Sequence, residues 1–159
     1  MKVTRKEGPG RANLEAAVKD LQSKQSRVGF FENSKYEDGT PVAYVATIQE
    51  FGYPAGGIPA RPFFRPTIAE QRAAWRDLLL KGARAVVKGK LTAESMLAQF
   101  GMQAAGDVKK TISLVMSPPL ASSTIEARRR RRKTEGVSTK PLVDTGYMLS
   151  QVDSDVVNK

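Results

Sequence analysis

Residues 50–66 decide how the rest of the chain is organised, and they read Glu-Phe-Gly-Tyr-Pro-Ala-Gly-Gly-Ile-Pro-Ala-Arg-Pro-Phe-Phe-Arg-Pro. Proline fixes φ, lacks an amide donor and pushes the preceding residue towards extended geometry, so this segment should not join a regular helix or sheet. We expect one stiff path across the surface, with Arg61 and Arg65 exposed and with Phe63 and Phe64 as anchors. The two phenylalanines could anchor it either in the core or against a partner subunit.

The residues before this segment predict two helices and a strand. From Asn13 onward the apolar residues follow helical spacing, and Asn13 is suited to cap the helix. Residues 26–31 carry valine and two phenylalanines, which predicts a strand. Residues 41–51 favour a helix that ends at Gly52, although their β-branched residues leave a strand as the alternative.

The residues after the segment predict two long helices. The sequence Thr-Ile-Ala-Glu at 67–70 has the pattern of a capping box, in which a hydroxyl and a carboxylate satisfy the first amides of a helix. This helix should end near Gly89, and Thr92 should cap a second helix that stops before Pro118. Because the connection is short, the two helices are expected to form an antiparallel hairpin.

The C-terminal part predicts a further capping box at 123–126, a helix carrying the arginine run, a short helix at 147–150 and a strand at 151–157. The predicted fold class is therefore α+β, with a small mixed or antiparallel sheet packed against the long helical hairpin. We expect a flexible basic arm over residues 1–12 and a single domain over residues 13–159.

Composition argues against most catalytic classes. The chain of 159 residues contains neither cysteine nor histidine, so it has no disulfide, no thiolate metal site and no imidazole base. We therefore predict a protein that is not an enzyme, with no catalytic residues, no metal site and no cofactor. Because the N-terminus lacks an apolar signal region and the apolar windows are short, we expect a soluble protein without a membrane partner.

The positive charge is concentrated in one place. The formal net charge is +10, and six consecutive residues carry six positive charges: Arg128, Arg129, Arg130, Arg131, Arg132 and Lys133. Such a run predicts contact with phosphates or with an acidic face of a partner, and the alternative is a solvated basic surface. The run lacks interleaved aromatic residues, so non-specific electrostatic contact is more consistent with it than base recognition.

Four segments together resemble a known family. They are Glu-Phe-Gly at 50–52, Pro-Ala-Arg-Pro-Phe at 59–63, Pro-Pro-Leu at 118–120 with Thr-Ile at 124–125, and Pro-Leu-Val-Asp-Thr-Gly at 141–146 followed by Leu149. In this order they resemble the head–tail joining, tail-completion or virion morphogenesis proteins of tailed bacteriophages. The resemblance extends over residues 42–149, although the arginine run is heavier than the one or two basic residues usual there.

The resemblance implies a structural virion protein that performs no covalent chemistry. Its subunits would form a ring of six or twelve copies at the head–tail junction, assembled in the host cytoplasm, as a tail terminator or a neck adaptor. Neighbouring portal, adaptor and tail-tube proteins would be its partners, and packaged DNA could contact the arginine run non-specifically. The alternative is a nucleic-acid-binding module that acts through residues 128–133. For the ring we expect a subunit interface made by Glu50, Phe51, Arg61, Pro62, Phe63, Phe64 and Arg65.

Overall fold

A computed structural model describes residues 9–131 and 137–159 of the chain. Within them the helices are α1 (Pro9–Ser23), α2 (Val42–Phe51), α3 (Phe64–Val87), α4 (Ala93–Leu114), α5 (Ser122–Arg131) and α6 (Tyr147–Ser150). A short 3-10 turn occupies Pro54–Gly56, and the strands are β1 (Lys24–Gly29) and β2 (Asp153–Asn158). The predicted α+β class is therefore confirmed. Among the described residues, no helix has the length and apolar character needed to span a membrane.

The sheet consists of β1 and β2, which pair in antiparallel register. Lys24 lies opposite Asn158, and Gly29 lies opposite Asp153. The pairing joins residues that are more than a hundred positions apart, so it brings the C-terminal segment back to the end of α1. Of the two sheet types that the sequence leaves open, the antiparallel one is therefore present.

Helix α4 is the central element, because it contacts both strands, α3 and α1. Gly101 allows its close approach to the sheet: a Cβ at this position would lie 2.6 Å from the Ser26 Oγ and 2.8 Å from the Ser154 Cβ. Thr92 caps α4 as predicted, since its hydroxyl accepts a hydrogen bond from the Ser95 amide at 3.1 Å.

Helix α3 begins three residues earlier than the sequence predicts, so the capping box at 67–70 is wrong. Thr67 is buried inside the helix, 2.6 Å from the carbonyl of Phe63 and 2.6 Å from the hydroxyl of Thr111 on α4. Glu70 is exposed. A carboxylate from α2 takes over the capping, as described below.

In further contacts between α3 and α4, later residues of α3 meet earlier residues of α4. The Trp75 indole donates to the Asp107 carboxylate at 2.8 Å, and its ring meets Phe100 edge to face. Near the other end, a Cβ at Gly82 would clash with the Met96 side chain. The sulfur and methylenes of Met96 therefore occupy the space that a glycine leaves on α3.

The main core lies between α2, α4, α6 and the segment that precedes α3. Its buried side chains are Val42, Ala46, Phe63, Ala105, Val108, Ile112, Leu142, Met148 and Val152. A smaller core lies at the C-terminal end of α3 and the N-terminal end of α4 and consists of Val86, Ala93 and Met96. Ala17 and Leu21 of α1 pack against it. Residues from both ends of the chain therefore enclose the same helix pair.

Two predicted boundaries on the N-terminal side have different outcomes. Residues 41–51 form a helix and not a strand, and Gly52 ends it with φ near +80°. A Cβ at Gly52 would lie 2.8 Å from the Ala60 amide nitrogen, so glycine is required for both reasons. Helix α1 begins at Pro9, as proline in a first helical turn permits, so it includes the last residues of the arm predicted for 1–12. Residues 1–8 lie outside the described part of the chain.

Candidate functional site: the motif cluster

The Glu50 carboxylate, at the end of α2, closes the N-terminus of α3. Its Oε2 accepts the amides of Phe63 and Phe64 at 2.6 and 2.9 Å, and its Oε1 accepts the amide and Nε of Arg65 at 3.2 and 2.9 Å. The first amides of a helix lack intrahelical partners, and the helix dipole favours a negative charge beside them. Glu50 therefore caps α3, although it lies thirteen residues before Phe63 in the chain, whereas a usual capping residue directly precedes its helix.

These bonds also set the protonation state of Glu50. Burial alone would raise the pKa of this carboxyl, but the amides of Phe63, Phe64 and Arg65 and the Arg65 guanidinium outweigh it and lower the pKa. The side chain is only 5 % exposed, so it remains a buried anion with a full set of donors. It can bind and orient backbone groups, and it has no free acceptor position directed at solvent.

Arg61 fixes the proline-rich segment to the loop after α4. The guanidinium is buried, and it donates to the carbonyls of Pro118 and Pro119 at 2.7 and 2.9 Å. Burial, followed by the charge of Arg128, lowers the pKa of Arg61. The guanidinium is held by neutral oxygens, which join two segments of the resemblance directly.

Arg128 holds the next junction. Only 6 % of this residue is exposed, and its guanidinium donates to the carbonyls of Ser138, Lys140 and Pro141 at 2.8, 2.9 and 3.2 Å. Its Nε lies 3.5 Å from the Asp144 carboxylate, which also pairs with Arg131 at 3.1 Å. The start of the arginine run is therefore anchored to the Pro-Leu-Val-Asp segment.

All four segments of the resemblance thus meet in one place. Glu50 joins the first segment to the second, and Arg61 joins the second to the third. Arg128 lies on α5, the helix that contains the Thr-Ile pair of the third segment, and joins this helix to the fourth segment. We call the residues that make these junctions the motif cluster: Glu50, Arg61, Phe63, Pro118, Pro119, Arg128, Pro141 and Asp144. Its arrangement can hold backbone segments in fixed positions, and its charged groups are used within the protomer.

The predicted interface residues separate into buried and exposed sets. Glu50, Arg61 and Phe63 are buried, so the expectation that Arg61 is exposed is wrong: the carbonyls of residues 118 and 119 need a donor inside the fold. Pro62 and Phe64 are half-buried. Phe51 is 65 % exposed and Arg65 lies over its ring at 5.1 Å, so these two remain the predicted residues that can reach a partner.

The predicted arginine contact surface divides in the same way. Arg128 is buried, and the carbonyls of residues 138, 140 and 141 accept hydrogen bonds from its guanidinium. Arg129, Arg130 and Arg131 are exposed, and Arg130 lies 3.8 Å from Glu126. Residues 132 and 133 lie outside the described part of the chain. Fewer positive charges of the run are therefore exposed among the described residues than the sequence suggests.

An open cleft of about 920 Å³ lies beside the motif cluster. Its wall includes Arg128, Arg131 and Asp144. Tyr36 and Tyr147 also line it, with ring centres 5.3 Å apart and ring planes tilted by 54°. The Tyr147 hydroxyl donates to the Lys35 carbonyl at 2.7 Å. The tyrosines therefore connect the loop before α2 to the Asp-Thr-Gly segment.

Sequence patterns miss the roles of Glu50, Asp144 and Thr67. Each contact joins residues at least thirteen positions apart, except the local bond from Thr67 to Phe63, so spacing within one helix gives no signal for them. Within the described residues, no group of three or more acidic side chains could hold a metal ion. Comparisons of the chain with protein-family models, with curated proteins and with solved structures give no match.

Proposed function

We propose that this chain is a structural subunit of a ring at the head–tail junction of a tailed bacteriophage. The observation that carries the proposal is the meeting of all four resembling segments through Glu50, Arg61 and Arg128. Segments that resembled the family by chance would have no reason to bind one another. Their mutual hydrogen bonds support treating them as one motif, and hence the family resemblance as a whole.

Exposed apolar side chains on α1 and α3 support a role in assembly. Of the 24 residues of α3, only Thr67 and Val86 are buried, and none of residues 10–23 of α1 is. We call α1 and α3, which contact each other, the helical layer. Its exposed apolar side chains are Leu14, Val18, Ile68, Leu78, Leu80 and Val87. We infer that some of these side chains are covered by another protein in the assembled ring, since a contiguous apolar patch marks a protein-binding surface.

In the proposed ring, the sheet packs against the hairpin of α3 and α4, and the motif cluster holds the protomer rigid. Each copy uses two different surfaces for its two neighbours, as a closed ring of identical subunits requires. Phe51 and Arg65, at the surface of the cluster, contribute to one of them. The ring completes the tail and joins it to the portal or connector, with adaptor and tail-tube proteins above and below.

Light scattering and electron microscopy of the purified chain test the proposal. We expect particles of six or twelve copies with a central hole, either alone or after addition of the adjoining tail-tube or adaptor protein. A monomer at all concentrations that also stays out of rings in assembled particles would count against it. Imaging the assembled particle also identifies the flanking proteins, which distinguishes a tail terminator from a neck adaptor.

A nucleic-acid-binding module is the second candidate, and the exposure of Arg129 and Arg130 favours it. The test variant is Arg129→Ser with Arg130→Ser, which leaves the buried Arg128 in place. If this surface binds phosphates, the slope of log affinity against log salt should fall by about 0.9 for each phosphate of duplex DNA that the variant no longer neutralises. An unchanged slope would refute DNA binding at these two positions.

A further inference from the structure

Among the described residues, the outer edges of β1 and β2 have no further strand beside them, which is unusual for a folded domain. Within this part of the chain the two strands pair only with each other. A two-stranded sheet is marginally stable alone, and each unpaired edge presents amides and carbonyls that can pair with another strand. Here α4 contacts both strands and so stabilises the pair, and no other described strand pairs with either edge.

The register identifies the backbone groups at these edges. The amide of Lys159 donates to the carbonyl of Ser23 at 2.8 Å, which makes 23 and 159 a hydrogen-bonded pair. In an antiparallel ladder such pairs alternate with pairs whose backbone groups point away from the partner strand. The outward-pointing groups therefore belong to residues 24, 26 and 28 on β1 and to residues 154, 156 and 158 on β2.

The two strands carry opposite charges. β1 contains Lys24 and Arg27 and no acidic residue, whereas β2 contains Asp153 and Asp155 and no basic residue. Within one copy Arg27 pairs with Asp155, with the Nε 3.0 Å from the carboxylate. Lys24 likewise pairs with Asp20 of α1 within the copy, at 3.1 Å. Two β1 edges or two β2 edges from neighbouring copies would still bring like charges together, whereas a β2 edge beside a β1 edge does not.

We propose that neighbouring copies join their sheets, with β2 of one copy pairing with β1 of the next. This inference rests on the proposed ring and specifies how its copies meet. Rotation about a ring axis preserves the orientation of each strand relative to that axis. With the strands running along the axis, β2 therefore meets the next β1 antiparallel, as it meets its own. Repetition around the ring closes the sheet into a barrel, which removes every free edge.

The side chains of the sheet suit this arrangement. Ser26 and Ser154 lie against Gly101 of α4, and Val28 packs on the main core. The opposite face carries residues 25 and 27 of β1 with residues 153, 155 and 157 of β2, by the alternation of side chains along a strand. With α4 on the outer side of the barrel, this polar face lines the central opening of the ring.

Single-cysteine variants test the pairing, because the chain contains no cysteine of its own. We would prepare Gln25→Cys, Asp153→Cys and Val157→Cys as separate full-length chains, with two tag sizes. Positions 25, 153 and 157 have backbone groups that point towards their own partner strand, so across copies they form the close pairs that suit disulfides. Chains with one cysteine cannot form a disulfide within a copy.

Mixing the Gln25→Cys chain with the β2 variant whose cysteine lies opposite residue 25 in the register between copies should give a mixed dimer as the dominant product under oxidation. Lys90→Cys, exposed in the turn after α3, is the control and should not cross-link to Gln25→Cys. Dominant pairing of Gln25→Cys with itself would overturn the inference, since it indicates a two-fold contact. The absence of any mixed product would overturn it too, provided that light scattering shows rings. If the chain stays monomeric with and without the adjoining tail-tube or adaptor protein and is absent from rings in assembled particles, the proposed ring fails and this inference fails with it.

Discussion

The motif cluster and the helical layer are stabilised in opposite ways. The cluster consists of short irregular segments, yet it buries two arginines and a glutamate with nearly complete sets of hydrogen-bond partners. The helical layer consists of two regular helices, yet it leaves most of its apolar side chains exposed. The part that looks least regular in the sequence is therefore the part that the fold constrains most.

The difference separates two kinds of information in the sequence. Residues of the cluster contact each other, so the resemblance that they carry is mainly a signature of the fold. The helical layer contacts α4 along one side, and the exposed apolar side chains Leu14, Ile68 and Leu80 lie outside its buried core, so a partner would account for their apolar character. Substitutions in the cluster should mainly change the free energy of unfolding, and substitutions in the layer should mainly change assembly.

The largest effect is expected for Phe63→Ala. This ring is fully buried and meets Phe30 and Phe64, so its removal should lower the free energy of unfolding by about 4 kcal/mol. Urea denaturation followed by circular dichroism measures the loss, with the exposed Phe51→Ala as the control, expected within about 0.5 kcal/mol. The double variant with Arg61→Ala should unfold. A folded double variant that only fails to assemble would show that the segment is a docking arm.

The next effect is expected for Arg128→Ala. It leaves three carbonyls and Asp144 without this donor, which should lower the free energy of unfolding by about 3 kcal/mol. Arg129→Ala is the matched control, since it removes an exposed arginine from the adjacent position and should change stability by less than about 0.5 kcal/mol. Equal thermal shifts for the two variants would contradict the structural role of Arg128.

A smaller loss is expected for Glu50→Ala. The amides of Phe63, Phe64 and Arg65 lose their acceptor, and the helix loses its cap, at a combined cost of about 2 kcal/mol. Glu70→Ala is the control, because the sequence pattern assigns the cap to that residue although it is exposed. Urea denaturation of both variants decides between them: a larger loss for Glu70→Ala would restore the local capping box.

These residues also explain which parts of the fold can be predicted from the sequence. Helices α2 and α4 follow from local signals, namely apolar spacing, Gly52 and the Thr92 cap. The start of α3 does not, because the Thr67–Glu70 pattern mimics a local cap while the cap in use comes from Glu50 on another helix. Periodicity reports on neighbours along a helix and contains no information about a partner thirteen residues away.

The sequence predicts the position of the candidate site but not its function. The loop at 50–66 is recognisable from its prolines, but its stiffness is compatible with either a core or a docking role. What decides between them for Arg61 is the placement of the Pro118 and Pro119 carbonyls, which is set by tertiary packing. The arginine run is a similar case. Its five consecutive arginines look the same in the sequence, but Arg128 is buried whereas residues 129–131 are exposed.

The protonation of Glu50 gives a pH-dependent test of the cluster. Because the folded state holds the pKa of Glu50 below its ordinary value of 4.5, this stabilisation is fully present above pH 4.5. It is lost as the pH falls from 4.5 through the lower folded pKa. We expect Glu50→Gln to flatten this part of the curve of unfolding free energy against pH. A control is Asp155→Asn, which removes an exposed carboxyl with a lowered pKa and should leave the Glu50 contribution in place.

The smallest effect on stability is expected in the helical layer. Ile68→Ser and Leu80→Ser replace side chains that are 50 % and 49 % exposed, so each should change the free energy of unfolding by less than about 0.5 kcal/mol. Light scattering of the double variant should nevertheless show fewer rings than the unmodified chain, because these two apolar side chains no longer bind the partner. Lys81→Ser, on the same helix, should leave assembly unchanged. If the double variant forms rings normally and unfolds more easily, the layer is stabilised within the protomer and its difference from the motif cluster disappears.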